Sequence, residues 1–287
     1  MSILTLPNEL LLLIMEQLET EKEIFALLQV NRRLYEISMP LLYQHNVQYL
    51  AGSALHRCAA SGQQIGIQRL LEFHADPNTI DEDGIQPLAL AINGGHRDII
   101  SLLIENGASL QMEDFLPIHH AVSLDNHVVV QMLLEYGGDI NAADQFGCTA
   151  LYQAVEYGHQ DIAELLLYHG ADVDMTGLDT EETRSFRVSP LHAAADVGNK
   201  NMSFFDLLFK YGADPNPVDD EGKTPLHWTA NRDSVAKARV LLENGADVNA
   251  RALNGETPLD TAISKGNNAV KQLLLSHGAD MEDPNKE

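Results

Sequence analysis

The segment GKTPLHWTANRDSVAKARVLLENGADVN, residues Gly222–Asn249, contains the pattern that decides the fold. Thr224 supplies a capping oxygen, and Pro225 fits the first turn of a helix, where its missing N–H group costs nothing. Apolar residues then follow at helical spacing in two runs. Gly245 comes where the second run ends, and glycine adopts the left-handed backbone of a helix terminus at little cost. The segment therefore predicts two short helices joined by a turn.

The same unit recurs along the chain. Its final glycine position returns after steps of 33, 30, 33, 42, 33 and 33 residues, and a pair of leucines precedes it each time. The positions are His74, Gly107, Gly137, Gly170, Gly212, Gly245 and Gly278. One such helix pair cannot bury its own apolar face, whereas stacked copies bury one another. The sequence therefore predicts an all-α solenoid over residues 50–287.

We place seven repeats in this part of the chain. They span about residues 50–80, 81–111, 112–142, 143–175, 176–217, 218–250 and 251–281. The long step of 42 residues falls in repeat five, where the additional residues lie in Thr176–Val188 and near Asn199–Ser203. Insertions in loops cost little stability and are often associated with function.

The unit resembles the ankyrin repeat, both in its period of about 33 residues and in its Thr-Pro-Leu-His tetrapeptide. In that family the tetrapeptide histidine makes hydrogen bonds between repeats. The resemblance implies this structural role for His56, His119, His192 and His227. Histidines that lie one repeat apart are also too distant to share a metal ion. We therefore predict no metal site.

The composition excludes several classes of function. The chain has 18 Lys and Arg against 42 Asp and Glu, a net charge of −24, which repels nucleic acids and anionic membranes. Its two cysteines, Cys58 and Cys148, form no disulfide framework, and this favours a cytoplasmic or nuclear location. The longest apolar run, Leu10–Met15, is too short to span a bilayer. No phosphate-binding loop or nucleophile motif occurs, so we predict neither enzymatic activity nor a cofactor.

Residues 1–49 do not fit the repeat. Leu6-Pro7 opens a helix that is apolar on nearly every side as far as Leu18, and such a helix must be covered by other residues. Two further helical patterns follow and end near Pro40. Two interpretations remain open at this point. The segment is either a cap for the first repeat or a docking site for another protein.

The same segment resembles the F-box, the motif that binds the Skp adaptor of cullin-based ubiquitin ligases. The matching residues are Leu6-Pro7, Glu9-Leu10, Ile14, Leu18, Ile24, Leu27, Val30, Arg32-Arg33 and Leu34-Tyr35. F-boxes usually carry a tryptophan near the last pair, and this chain does not. The resemblance implies a three-helix F-box over residues 1–49 that contacts the adaptor. The contacts would come from Leu6, Pro7, Leu10, Ile14, Leu18 and Val30.

The two resemblances together imply a substrate-recognition subunit of a Skp–cullin–F-box ubiquitin ligase. Its partners would be a Skp-family adaptor, through it a cullin, and a substrate protein that the sequence does not identify. We expect a monomer outside the ligase complex. The alternative is an ankyrin scaffold or inhibitor whose N-terminal helices only cap the repeats.

A candidate surface for the substrate protein follows from the ankyrin resemblance. In that family, partner contacts come from the tips of the turns and the end of the first helix of each repeat. These positions are mostly polar in repeats two, six and seven, whereas in repeats three to five they are rich in large apolar residues. The predicted contact residues are Met112, Phe115, Leu124, Phe146, Tyr157, Phe186 and Val188.

An apolar patch with a polar, acidic rim is typical of a protein-binding site. The surrounding negative charge favours a basic or apolar partner segment and disfavours a phosphorylated one. The alternative is that the insertion in repeat five folds back over Phe115 and Phe146, so that the patch is internal packing.

Overall fold

The computed structural model describes residues 53–111, 116–176, 188–196 and 202–281. The predicted F-box over residues 1–49 lies outside these ranges, and so do several of the predicted contact residues. Those residues are Leu6, Pro7, Leu10, Ile14, Leu18, Val30, Met112, Phe115 and Phe186. Within the described ranges the regular secondary structure is entirely helical, and none of these helices is long and apolar enough to cross a membrane.

The chain divides into two compact units between Ser109 and Leu110. The first unit contains α1 (Ser53–Ser61), α2 (Gln64–Glu72), α3 (Pro87–Asn93) and α4 (Arg97–Glu105). The second unit contains α5 (Pro117–Ser123), α6 (His127–Glu135), α7 (Ala150–Tyr157), α8 (Gln160–Tyr168), α9 (Pro190–Asp196), α10 (Met202–Lys210), α11 (Pro225–Asn231), α12 (Val235–Glu243), α13 (Pro258–Lys265) and α14 (Asn268–Ser276).

Each unit consists of helix pairs stacked in two layers. In the first unit, α1 packs on α3 and α2 packs on α4. In the second, the first helices of successive repeats form one continuous layer, in the order α5, α7, α9, α11 and α13. The second helices form the other layer, in which α6 packs on α8 and α12 packs on α14. This arrangement confirms the predicted repeat.

The helices begin where the sequence places capping residues. Proline occupies the first turn of α11 and of α13, and the preceding threonine caps each helix. The Thr257 side chain accepts a hydrogen bond from the Asp260 backbone, and the Asp260 carboxylate accepts one from the Thr257 N–H in return. Two helix-terminal N–H groups are thereby satisfied, which favours the start of the helix at this point.

The leucine pairs supply the core between the layers. One leucine of each pair is at most 1% exposed: Leu70, Leu103, Leu133, Leu166, Leu208, Leu241 and Leu274. In repeat four the fully buried residue of the pair is Leu166, whereas Leu165 is only partly buried. Successive residues of a helix point about 100° apart, so the two members of a pair do not share one environment.

Three of the four tetrapeptide histidines join consecutive repeats. Each of the four donates a hydrogen bond from Nε2 to a backbone carbonyl oxygen 23 to 31 residues further along the chain. His192 reaches Lys223 at 3.0 Å, and His227 reaches Glu256 at 3.1 Å. His56 reaches Ile85 of repeat two at 3.0 Å, and His119 reaches Ala142, the last residue of its own repeat, at 2.9 Å. The predicted bonds between repeats are confirmed for His56, His192 and His227.

A second set of bonds between repeats uses asparagine side chains, and we call it the asparagine ladder. The Asn216 amide donates to the Gly245 carbonyl oxygen at 3.2 Å and accepts from the Asp247 N–H group at 2.7 Å. Asn78 and Asn249 make the same two bonds with glycine and the residue two positions further on. Asp174 holds this position in repeat four and accepts from the Asp214 N–H group at 3.0 Å.

The turns of repeats six and seven also stack directly. The Leu253 N–H group donates to the Glu221 carbonyl oxygen at 2.8 Å. Gly222, next to Glu221, has a φ angle of +72°, and a Cβ atom there would lie 2.8 Å from the Leu253 nitrogen. Only glycine meets both requirements, because the backbone is left-handed and the neighbouring turn leaves no room for a side chain.

Candidate protein-binding surface

The turn of repeat four is built around one carboxylate. Asp144 Oδ1 accepts hydrogen bonds from the backbone N–H groups of Phe146 and Cys148, both at 2.9 Å. Asp144 Oδ2 accepts from the Gln153 side chain on α7, also at 2.9 Å. The carboxylate therefore fixes the turn against the first helix of its repeat and holds Phe146 at the tip.

Repeat six has the same construction with different residues. Asp219 Oδ1 accepts from the N–H groups of Glu221 at 2.9 Å and Lys223 at 2.8 Å. Its Oδ2 accepts from the indole N–H group of Trp228 on α11 at 2.8 Å. The Trp228 ring also meets the His192 ring edge-on, with centroids 5.2 Å apart, so this tryptophan packs between repeats five and six.

Three of the predicted contact residues are exposed. Phe146 at the turn tip is 62% exposed, Tyr157 at the end of α7 is 51% exposed, and Leu124 after α5 is 43% exposed. Val188 is only 6% exposed and lies in the wall of a cleft, so it offers little surface of its own. It directly precedes Ser189, whose hydroxyl caps α9 through His192, and at this helix entry its side chain packs inward.

Carboxylates lie beside the exposed rings. Burial raises the pKa of the Glu156 carboxyl, and the negative charges of Asp196 and Asp144 raise it further. Burial, together with the charges of Asp144 and Glu156, also raises the pKa of the Cys148 thiol to about 12. Burial is the main cause of both shifts, and the neighbouring carboxylates add to it. We call this region the acidic–aromatic surface, defined by Asp144, Phe146, Glu156, Tyr157 and Asp196.

Asp196 is also part of a cleft of about 660 Å³ across repeats five to seven. Asp219, Asp220, Glu221 and Glu256 contribute negative charge to its walls, and Trp228 contributes an aromatic ring. The positive side chains in the cleft include Arg232, which contacts Asp196 through Nη2 at 2.7 Å and through Nε at 2.8 Å.

The apolar pattern of the sequence does not predict this cleft. The contact positions in repeats six and seven are mostly polar, and the pattern places the partner on the apolar repeats instead. The signal was present, because Glu221, Asn231, Arg232 and Lys265 occupy the expected contact positions. Apolar character alone is too narrow a criterion for these contact positions, since charged residues there also form binding surfaces.

The described residues show no centre for metal chemistry. Among residues 53–111, 116–176, 188–196 and 202–281, no group of three or more His, Cys, Asp or Glu side chains is arranged to hold a metal ion. Cys58 and Cys148 are both free thiols. What these residues offer is an exposed surface of rings and carboxylates, which is suited to binding.

A family model described as ankyrin repeats (three copies) matches residues 31–114, 55–144, 113–177 and 191–285. The chain belongs to the ankyrin-repeat family. Its described residues form an all-helical ankyrin-repeat solenoid, and ankyrin repeats suggest a protein-binding scaffold. Ankyrin-repeat proteins are generally non-enzymatic. The comparison with family models gives no F-box match.

Individual ankyrin-repeat proteins resemble the chain over different lengths. The chicken nuclear factor NF-kappa-B p105 subunit is 30% identical over 229 residues, which are 70% of this chain and 23% of the relative. The putative ankyrin repeat protein YahD of Escherichia coli is 28% identical over 190 residues, which are 64% of this chain and 92% of YahD. The human ASB11 ankyrin repeat domain superposes with a TM-score of 0.60 at 25% identity, covering 79% of this chain and 99% of that domain.

Proposed function

We propose that this protein is the substrate-recognition subunit of a Skp–cullin–F-box ubiquitin ligase. The ankyrin repeats capture the substrate protein, and residues 1–49 bind the Skp-family adaptor. The chain itself carries out no chemistry. Its contribution is proximity, because it holds the substrate near the catalytic machinery that the adaptor and cullin recruit.

The substrate half of the proposal is carried by the exposure of Phe146 and Tyr157 on the first-helix side of repeat four. Large rings that are 62% and 51% exposed are costly to leave in water and are enriched at protein interfaces. The carboxylates nearby provide the polar surround of such a site. The adaptor half is supported by the F-box pattern of residues 1–49, beginning with Leu6-Pro7.

Co-purification with a Skp-family adaptor tests the adaptor half. The full chain is expected to elute together with the adaptor from a size-exclusion column. The double change Leu6→Ala with Pro7→Ala is expected to abolish this co-elution and to leave the thermal unfolding of the repeats unchanged. The matched control, Phe146→Ala with Tyr157→Ala, is expected to retain the adaptor. Adaptor binding that survives in the Leu6/Pro7 variant would refute the F-box assignment.

A second candidate function is an ankyrin scaffold or inhibitor in which the N-terminal helices only cap the first repeat. One observation favours it, since the ankyrin match begins at residue 31, inside the segment that resembles an F-box. The same variants separate the two candidates. If Leu6 and Pro7 only cap the repeats, replacing them lowers the unfolding temperature, and the unaltered chain does not bind the adaptor.

A further inference from the structure

We propose that the cleft and the acidic–aromatic surface bind an extended, arginine- or lysine-containing segment of the partner protein. One basic side chain would lie over Tyr157 and beside Glu156. This inference rests on the proposed capture of a protein by the repeats and specifies the chemistry of that protein. It is independent of whether residues 1–49 bind an adaptor.

The first argument is the surplus of carboxylate over cation among the residues that the structure describes at this place. Glu156 is exposed, and it belongs to none of the ion pairs formed among the residues that the structure describes. Asp144 and Asp196 act on it as like charges. An incoming cation would relieve this repulsion, and a negatively charged segment would increase it.

The second argument is the pairing of rings with carboxylates. An arginine or lysine side chain has an apolar stem and a charged end, and it packs against an aromatic face while its charge meets a carboxylate. Phe146 and Tyr157 provide the rings and Glu156 the charge. A purely apolar segment would bury Glu156 without compensating its charge, and that is costly.

The third argument is that the chain already binds one guanidinium group on this surface. Arg232 donates from both Nε and Nη2 to Oδ1 of Asp196, at 2.8 and 2.7 Å. The pair is partly exposed to solvent, so Asp196 is open to an approaching basic side chain. Beyond it the cleft continues along Asp219, Asp220 and Glu256, which gives an extended basic segment further carboxylates to follow.

Three synthetic peptides of equal length provide the probe. They carry arginine, glutamate or serine at alternating positions, with valine between, and their binding to the full chain is followed by fluorescence anisotropy. We expect the arginine peptide to bind at least tenfold more tightly than the serine peptide. We also expect its affinity to fall several-fold between 50 and 300 mM salt, because the attraction is between partly exposed charges. The glutamate peptide is expected not to bind.

Two variants separate a site from a general attraction to a chain of charge −24. Glu156→Lys is expected to lower the affinity for the arginine peptide at least tenfold. Glu243→Lys makes the same change of charge at an exposed position on α12, in the other helix layer, and is expected to weaken it less than threefold. A third variant, Tyr157→Ala, is expected to lower the affinity for the arginine peptide about fivefold and to leave its salt dependence unchanged.

Three results would overturn the inference. They are equal losses for Glu156→Lys and Glu243→Lys, equal affinities for the arginine and serine peptides, and no binding of the arginine peptide at 100 µM. Adaptor co-elution is measured on the same preparations. Loss of adaptor co-elution with peptide binding retained would refute the ligase assignment. Retained adaptor co-elution without peptide binding would refute the basic partner.

Discussion

The side-chain nitrogen of Lys237 lies 2.7 Å from the carbonyl oxygen of Ala194 and donates a hydrogen bond to it. It also donates to Ala195 at 3.2 Å, and the lysine is only 2% exposed. These carbonyl groups belong to the last turn of α9, where helical carbonyls lack partners within the helix. In repeat seven, Asn267 does the same for the Ala230 carbonyl oxygen at 2.6 Å. Lys237 and Asn267 thus donate hydrogen bonds to terminal carbonyl groups of the first helix in the preceding repeat.

Replacing Lys237 with methionine is expected to lower the free energy of unfolding by about 1.5–3 kcal/mol, the usual range for hydrogen bonds to charged groups. Methionine retains the length of the chain but leaves the two carbonyl groups buried without this donor. Arg239→Met is the control, because it removes the same charge from an exposed position on α12. Urea denaturation measures both variants. Similar losses of stability in both variants would show that the removed positive charge, rather than the lost hydrogen bonds to α9, is responsible.

The two leucines of repeat four are expected to respond differently to truncation. Leu166→Ala should cost about 2–5 kcal/mol of unfolding free energy, because a fully buried leucine leaves a cavity. Leu165→Ala should cost clearly less, since Leu165 is only partly buried. Denaturant unfolding of the two single variants tests the orientation of α8. A larger loss for Leu165→Ala would mean that the helix faces the other way.

Asp174→Asn is expected to stabilise the protein at pH 7. An amide would retain the bond from the Asp214 N–H group and would add the donor that the ladder asparagines direct at a glycine carbonyl oxygen. A gain of about 0.5–1.5 kcal/mol is expected for one added hydrogen bond. Asp172→Asn, at an exposed position in the same turn, is expected to stay within about 0.5 kcal/mol of the original.

The pH dependence of this gain has a definite sign. Burial raises the pKa of Asp174 in the folded chain. Between the unfolded and folded pKa values the folded chain binds more protons, so the Asp174 contribution to stability declines as the pH rises. The advantage of Asp174→Asn should therefore be larger at pH 7 than at pH 4. An advantage that grows towards acid pH would contradict this account.

Acid is expected to weaken the histidine bonds between repeats. Burial lowers the pKa values of His192 and His227, and Nδ1 of His227 accepts from the Thr224 N–H group at 3.0 Å. A proton on Nδ1 would point at the Thr224 N–H group, which is also a donor, so this hydrogen bond would be lost. Below about pH 6.5 the unfolded chain binds more protons than the folded chain, so stability falls as the pH falls.

Denaturation at pH 7.5 and 5.5 measures this effect. His192→Gln with His227→Gln is expected to be less stable at pH 7.5 and to lose less stability on acidification. His169→Gln, at an exposed position, should retain the full pH dependence. If the double variant and the unaltered chain lost equal stability between the two pH values, these histidines would not be the titrating groups.

The sequence predicted the features that depend on neighbouring residues. Capping at Thr224 is signalled by the residues next to it, and it is confirmed. The histidine bonds span 29 to 31 residues, and they were predicted from the resemblance to the ankyrin repeat rather than from neighbouring residues. An assignment of Leu165 to the core is wrong, because Leu166 is the fully buried member of the pair. The leucine spacing alone does not fix the rotation of the helix, and adjacent residues point about 100° apart. The burial of Lys237 could not be read from α12, since its carbonyl partners lie 42 and 43 residues earlier.

The asparagine ladder has a consequence for how the gene can change in length. Asn78, Asn216 and Asn249 each join a residue 31 positions further on, and Asn141 does the same with Asp172. Each of these bonds is one rung of the ladder and reaches only the repeat that follows. Duplication or loss of one whole repeat therefore recreates the same rung at the new junction. The rung from Asp174 to Asp214 spans 40 residues and is still closed. Added residues are thus accommodated between rungs, and this allows a lineage to lengthen one repeat without separating it from its neighbours.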